Sequence, residues 1–425
     1  MSDTLSQLLQ DIPVPRMVRI RQKFDETRLE DPISELKLKL DASGCIPKIA
    51  KGSKVAVAVG SRGIYKVDEF TKLVIDELKK AGTEPFIVPC MGSHGGATAE
   101  GQVEVLAHLG IDEARMGAPI RSSMDVVLID KLPNGLPVYV DRISATEADA
   151  IVVINRVKPH TAFRGPIESG LLKMIAIGLG KQKGAEATHQ LGFKYMAENV
   201  PAMARRMIDK LPIVFGVALI ENAYDQTCRI EVVPAAEMED FEPELLREAK
   251  ERLPKILFSN LDVLVIDYIG KNISGDGMDP NVTGRYPTPY AHGGPEVNKM
   301  VVLDLTPESK GNANGVGTAD FTTARLVSKA DWPATYANGL TSTVCAPTKQ
   351  ATTLSNDLDA IRAGIKTCNI LDFHECRLAR IRDTLHLGEI EISETLLAEA
   401  MRHPQIEIVS EPYEWQFDQK GYLSK

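Results

Sequence analysis

"KVAVAVGSRGIYKVDEFTKLVIDELKKAGTEPFIVPC", residues 54–90, decides the fold class. "KVAVAVG" (54–60) is a short, nearly continuous apolar run, the pattern of a parallel strand buried on both faces. "VDEFTKLVIDELKKAG" follows, with Val67, Phe70, Leu73, Val74 and Leu78 at helical spacing and Gly82 where a helix C-cap belongs. "EPFIVPC" (84–90) then reads as a second strand. Strand, helix, strand predicts an α/β sheet flanked by helices.

The alternation continues outward. "TAEGQVEVLAHLG" (98–110) reads as a helix, and "DVVLID" and "LPVYV" flank "KLPNG" as a hairpin. "ADAIVVIN" (148–155) and "LPIVFGVALI" (211–220) read as further strands. After the charged helix "PELLREAKERLP" (243–254) the pattern restarts. The strand "LDVLVID" (261–267) leads through a Gly/Asn/Asp-rich loop to "MVVLDL" (300–305), with helical patterns near 317–328 and 355–367. A chain of 425 residues is also too long for one ordinary core. The expected architecture is two α/β domains, residues 1–257 and 258–403, with mostly parallel sheets and an active site in the crevice between them. "IEIVSEPYEWQF", within 404–425, is a candidate strand for return to the first domain.

Composition narrows the function. With 44% hydrophobic and 25% charged residues the chain is ordinary for a globular protein, and its formal net charge of -9 disfavours nonspecific nucleic-acid binding. No apolar run reaches the roughly 18 residues that span a membrane. "MSDTLSQLLQDIPVP" lacks a secretory apolar region. Cys45, Cys90, Cys228, Cys345, Cys368 and Cys376 form no C-x-x-C pair, which reads as reduced thiols in a cytoplasmic protein without a zinc or iron–sulfur framework.

Three unusual turns each follow a strand: Gly60-Ser61-Arg62-Gly63, then Gly92-Ser93-His94-Gly95-Gly96, then Asn155 through His160. In open α/β sheets ligands bind beyond the carboxyl ends of the strands, so Arg62, His94 and His160 should converge. Any one such turn is usually only a turn, and a lone histidine is more often structural. Convergence of all three favours a site. Lys173 stands in the apolar run "GLLKMIAIGLG". A buried ammonium is unfavourable unless paired, neutralised or used. The plain alternative is a lysine snorkelling from a helix end, and the chemical one is a lysine of lowered pKa in a covalent bond. His189 reads either as an exposed helix residue or as a metal ligand, and one histidine alone makes no recognisable metal site.

Taken together, "GSRG", "MGSHGGAT", "KPHTAF…SGLLKM" and "ATHQLGF" resemble the lactate racemase family that depends on the nickel-pincer nucleotide. The resemblance spans most of the chain and is strongest between 55 and 195. It implies that Lys173 carries the cofactor, pyridinium-3-thioamide-5-thiocarboxylic acid mononucleotide, through a thioamide. It implies that His189 is the protein ligand to Ni(II), that His94 and His160 are the acid/base pair, and that Arg62 binds substrate. Gly60, Ser61, Ser169 and Gly170 fall at cofactor contacts. An acylated Lys173 is uncharged, which suits its apolar setting. The implied reaction inverts C2 of a 2-hydroxy acid by proton-coupled hydride transfer, one imidazole per enantiomer. Maturation would require cofactor-biosynthesis proteins.

Two departures set this chain apart. The lactate enzymes carry an Asp-His-Thr-Arg type turn where Val59-Gly60-Ser61-Arg62 stands, so only the arginine is kept. They also place a Tyr-Gln and a lysine over the substrate, whereas "GKNISGDGMDPNVTGRYP" (270–287) offers only Lys271 and Arg285 as candidate replacements. Ser274, Asp279, Asn281 and Thr283 of that loop, if they face the site, imply a substrate more polar than lactate. Two other readings compete: a non-catalytic phosphate- or carboxylate-binding protein, and a metal-free enzyme using His94 and His160 for proton abstraction. Neither needs Lys173 or His189.

Overall fold

The structure, a computed structural model, describes residues 3–61 and 63–424. Two compact units divide the chain: Asp25–Leu253, and the segment ending at Phe24 together with the segment from Pro254 onward. β1 (Met17–Gln22) belongs to the latter.

The Asp25–Leu253 unit contains β2 (Lys54–Val59), β3 (Glu84–Pro89), β4 (Val126–Lys131), β5 (Pro137–Asp141), β6 (Ala150–Arg156), β7 (Ile213–Glu221) and β8 (Thr227–Pro234). Five of them form one sheet in the order β3-β2-β6-β7-β8, parallel except for β8. β4 and β5 form the expected hairpin. Val55 to Val59 are wholly buried, which is why the strand carries no polar alternation. The helix Val67–Lys80 covers the sheet with Phe70, Val74, Ile75 and Leu78. Asp68 and Glu69 in its first turn and Lys79 and Lys80 in its last complement the helix dipole. Gly82, at φ 83, lets the chain leave that helix for β3. The chain runs from β2 outward to β3, then crosses back to β6 on the other side of β2. The switch point therefore lies beyond the carboxyl ends of β2 and β6, with the β3 turn alongside.

The second unit adds β9 (Asn260–Ile269), β10 (Glu296–Leu305), β11 (Phe321–Thr323), β12 (Thr352–Leu354), β13 (Leu378–Ile381), β14 (Glu389–Ser393) and β15 (Ile406–Ile408). With β1 they form an eight-stranded sheet, β12-β11-β10-β9-β13-β14-β1-β15. The five strands from β12 to β13 run parallel, and β14, β1 and β15 are antiparallel to their neighbours.

The observed partition differs from the expected 1–257 and 258–403. β1 inserts between β14 and β15, so the first residues belong with the later unit. The C-terminal strand also stays there, paired with β1. The helix expected over 317–328 is interrupted. Phe321–Thr323 is strand β11, and Thr323 then caps a short helix, Ala324–Lys329, by accepting from the Leu326 amide at 3.1 Å. Thr322 and Thr323 are β-branched and fully buried, which favours the strand.

Candidate active site at the switch point of the first sheet

The three turns lie side by side, because Val59 pairs with Pro89 on one side and with Ile154 on the other. Arg62 lies outside the described residues. Ser61 Oγ is hydrogen-bonded to His94 Nδ1, so the β2 and β3 turns meet through these two side chains. His94 itself is exposed. Its turn holds Gly92, Gly95, Gly96 and even Ala97 at positive φ, a backbone path that glycine makes cheap. Gly60 has Met174 Cε only 3.0 Å from where a Cβ would stand, so the β2 turn abuts the Lys173 segment.

His160 sits in a closed loop. Lys158 and Ser169 bridge its ends, with the Lys158 amide donating to the Ser169 carbonyl at 2.8 Å. Asn155, at the end of β6, donates to the Gly170 carbonyl at 2.9 Å. Glu168 holds the interior: fully buried, it accepts from the His160 amide at 2.8 Å and pairs with Lys250 at 2.6 Å. The Ala162 amide donates to His160 Nδ1 at 3.0 Å, which puts the proton of the neutral ring on Nε2. Burial, then the positive charges of Lys173, His189, Lys158 and Arg164, pushes the His160 pKa well below its usual value, and its ring packs against Phe163.

Lys173 ends the short helix Leu171–Lys173, and the chain widens at once into a π turn, Met174–Gly178. The Leu179 amide reaches back five residues to the Met174 carbonyl, a widened turn found often at functional sites. Leu171, Leu172 and Ile175 are buried, while Lys173 is only half-buried. Glu242 closes the helix start, accepting from the Leu172 amide at 3.0 Å. Burial pushes the Glu242 carboxyl up to about 7.

His189 ends the next helix, Lys181–His189. Its Nδ1 donates to the Ala185 carbonyl at 2.6 Å, which leaves the Nε2 lone pair as the available donor. Burial, then the Lys173 charge, lowers its pKa although the Ala185 bond opposes the shift. His160 and His189 stand against the same ring, Phe193, at 6.1 and 5.3 Å between centroids. The structure thus gathers Ser61, His94, His160, Ser169, Gly170, Lys173 and His189 around one end of one sheet. Among the described residues no three His, Cys, Asp or Glu side chains come together as a metal site, so a metal on His189 would draw its other donors from a bound group.

The second-unit candidates do not converge. Lys271, just past the carboxyl end of β9, donates to the Gly275 carbonyl and Asn338 Oδ1, both at 2.6 Å. Arg285 lies at the opposite, amino-terminal end of the same sheet. It holds the Asn298 carbonyl at 2.6 Å, pairs with Asp320 at 2.8 Å, and borders a cavity of ≈ 640 Å³ with Asp262, Glu296 and Arg377. Ser274, Asp279, Asn281 and Thr283 are buried, and Asp279 Oδ1 caps its own short helix at Asn281. This loop is packed within its unit rather than spread in solvent. Sequence reasoning missed Glu168, Glu242 and Phe193, whose signal is burial, and it missed Lys181, a wholly buried lysine.

No curated protein matches the chain. The structure is similar to that of the lactate racemase apoprotein from Thermoanaerobacterium thermosaccharolyticum, with 13% identity and a TM-score of 0.49 over 87% of this chain and 93% of that one. Residues 18–200 match the family described as lactate racemase N-terminal domain. That segment contains every one of the gathered site residues.

Proposed function

We propose that the protein inverts C2 of a 2-hydroxy acid, as a racemase or epimerase, with a nickel-pincer nucleotide held on Lys173 and His189. The observation that carries this reading is the pairing of His160 and His189 across Phe193, both within the electrostatic reach of Lys173. The donor set fits. Lys173 is an amine on a widened turn walled by buried aliphatic side chains, and His189 presents Nε2 because Nδ1 is committed to Ala185. When bound, that nucleotide supplies an acceptor for the C2 hydrogen as hydride.

The remaining work falls to the chain. Ser61 orients the His94 ring through Nδ1 and so aims Nε2 at a substrate hydroxyl. His160, neutral with its proton on Nε2, donates to an oxygen on the other side; proton uptake at this ring requires the Ala162 amide to release Nδ1. Each histidine serves one enantiomer in this reading, and His160 takes the hydroxyl proton on Nε2 only as the tautomer that carries its own proton on Nδ1, with the Ala162 amide released. Lys158 and Arg164 beside His160 favour an anionic substrate, and a 2-hydroxy acid with further polar groups suits that field better than lactate.

Protein made in a host that synthesises the cofactor tests this. His189→Ala should lose most of its nickel and its activity, and C2-deuterated substrate should keep its label in the product of the wild type. Unchanged nickel in His189→Ala, or extensive washout of deuterium into water, would overturn the reading.

A further inference from the structure

Lys181 is a fully buried lysine that takes no part in the site above. It begins the helix that ends in His189, and it does so at φ 55, a left-handed conformation that is costly for a non-glycine residue. Its Nζ donates to the Pro89 carbonyl at 2.6 Å and to Gln102 Oε1 at 3.1 Å. It stands 3.8 Å from Asp141 Oδ1, an atom with no hydrogen-bond partner. Asp141 Oδ2 meanwhile caps the Ser144 amide at 2.8 Å. Gln102 passes the connection on, because its Nε2 donates to the carbonyls of Gly92 at 2.9 Å and His94 at 3.3 Å.

The ammonium is thus a common node of three elements: the end of β3 with the His94 turn, the end of β5, and the His189 helix. Burial holds the ammonium below its ordinary pKa range and Asp141 above its own, so the pair is weak as a source of stability. Well-packed apolar side chains in its place are often neutral or stabilising. What an ammonium adds is three donors in fixed directions, two of them spent here on the His94 side. We infer that Lys181 is a positioning residue that holds the His94 turn and the His189 helix in register, with Gln102 as the arm that reaches His94. This rests on the proposed roles of His94 and His189, but its test does not need them to be right.

The test uses the full chain with ring-labelled histidine, and reads the eight imidazoles by NMR without cofactor. Lys181→Met combined with Asp141→Asn removes the charge without leaving a buried carboxylate unpaired. The His94 and His189 resonances should both move, while those of His108, His374 and His403 stay. Gln102→Leu, which keeps the ammonium, should move His94 and leave His189. In the cofactor-loaded enzyme the double variant should lower kcat by ~10²-fold with KM little changed, the usual cost of a misplacement of about 1 Å. A folded double variant with His94 and His189 unmoved would reduce Lys181 to core packing. If the double variant does not fold, Gln102→Leu decides: an unmoved His94 overturns the inference. Failure of the proposed chemistry would appear instead as absence of adduct and activity in wild type, with these resonances behaving as described.

Discussion

Glu242 ends the Lys173 turn with a carboxyl whose pKa, about 7 against an ordinary 4.5, sets the sign of a pH effect. Between those values the folded protein keeps a proton that the unfolded chain has lost, so Glu242 makes stability fall as pH rises through that window. Glu242→Gln cannot ionise and still offers an oxygen to the Leu172 amide. Its stability relative to wild type should therefore grow by roughly 1–3 kcal/mol between pH 4.5 and 7, read from urea unfolding at several pH values. A constant difference would show that the carboxyl titrates normally. Lys173 stands out in the sequence because its charge contradicts its apolar run, and His160 because its turn follows a buried strand, whereas His189 is marked only by the family resemblance. Lys181 does not stand out: "GLGKQKG" reads as a polar helix start, and only tertiary packing buries that one lysine.

The loop from Lys158 to Ser169 has the ends of a small closed unit and a carboxylate at its centre. Glu168→Ala would strip the His160 amide of its acceptor and leave Lys250 without its partner. We expect a loss of about 2–4 kcal/mol, below the full cost of a broken buried pair because Lys250 is partly exposed. Hydrogen exchange should show the His160 amide unprotected while β6 stays protected; unchanged exchange at His160 would place its anchor elsewhere. Elements of this sheet were legible where strands are buried on both faces, since a short unbroken apolar run between turns leaves no face for solvent. β11 and β12, at three residues each, carry too little pattern to read, and the helical spacing around them hid β11.

At the scale of the molecule, the restart of the strand–helix pattern after residue 254 marked the second unit, but nothing local marked the allegiance of β1. "MVRIRQ" alternates as any half-buried strand does, and its partners, Ser393 and Ile408 among them, lie at the far end of the chain. Removing residues 1–24 should therefore damage the later unit. Exchange protection should collapse at Ile406–Ile408 and weaken across β14, while β2, β3 and β6 keep theirs. Equal loss in both units would contradict the observed partition. In the proposed function the loops at the carboxyl end of the first sheet carry the chemistry, and the lysine at its switch point carries the claim about what that chemistry is. Peptide mass spectrometry of Lys173 in protein from a cofactor-making host tests it most directly. The expected result is a covalent nucleotide adduct on Lys173, absent from protein made without the cofactor; an active preparation with Lys173 unmodified would contradict the proposed chemistry.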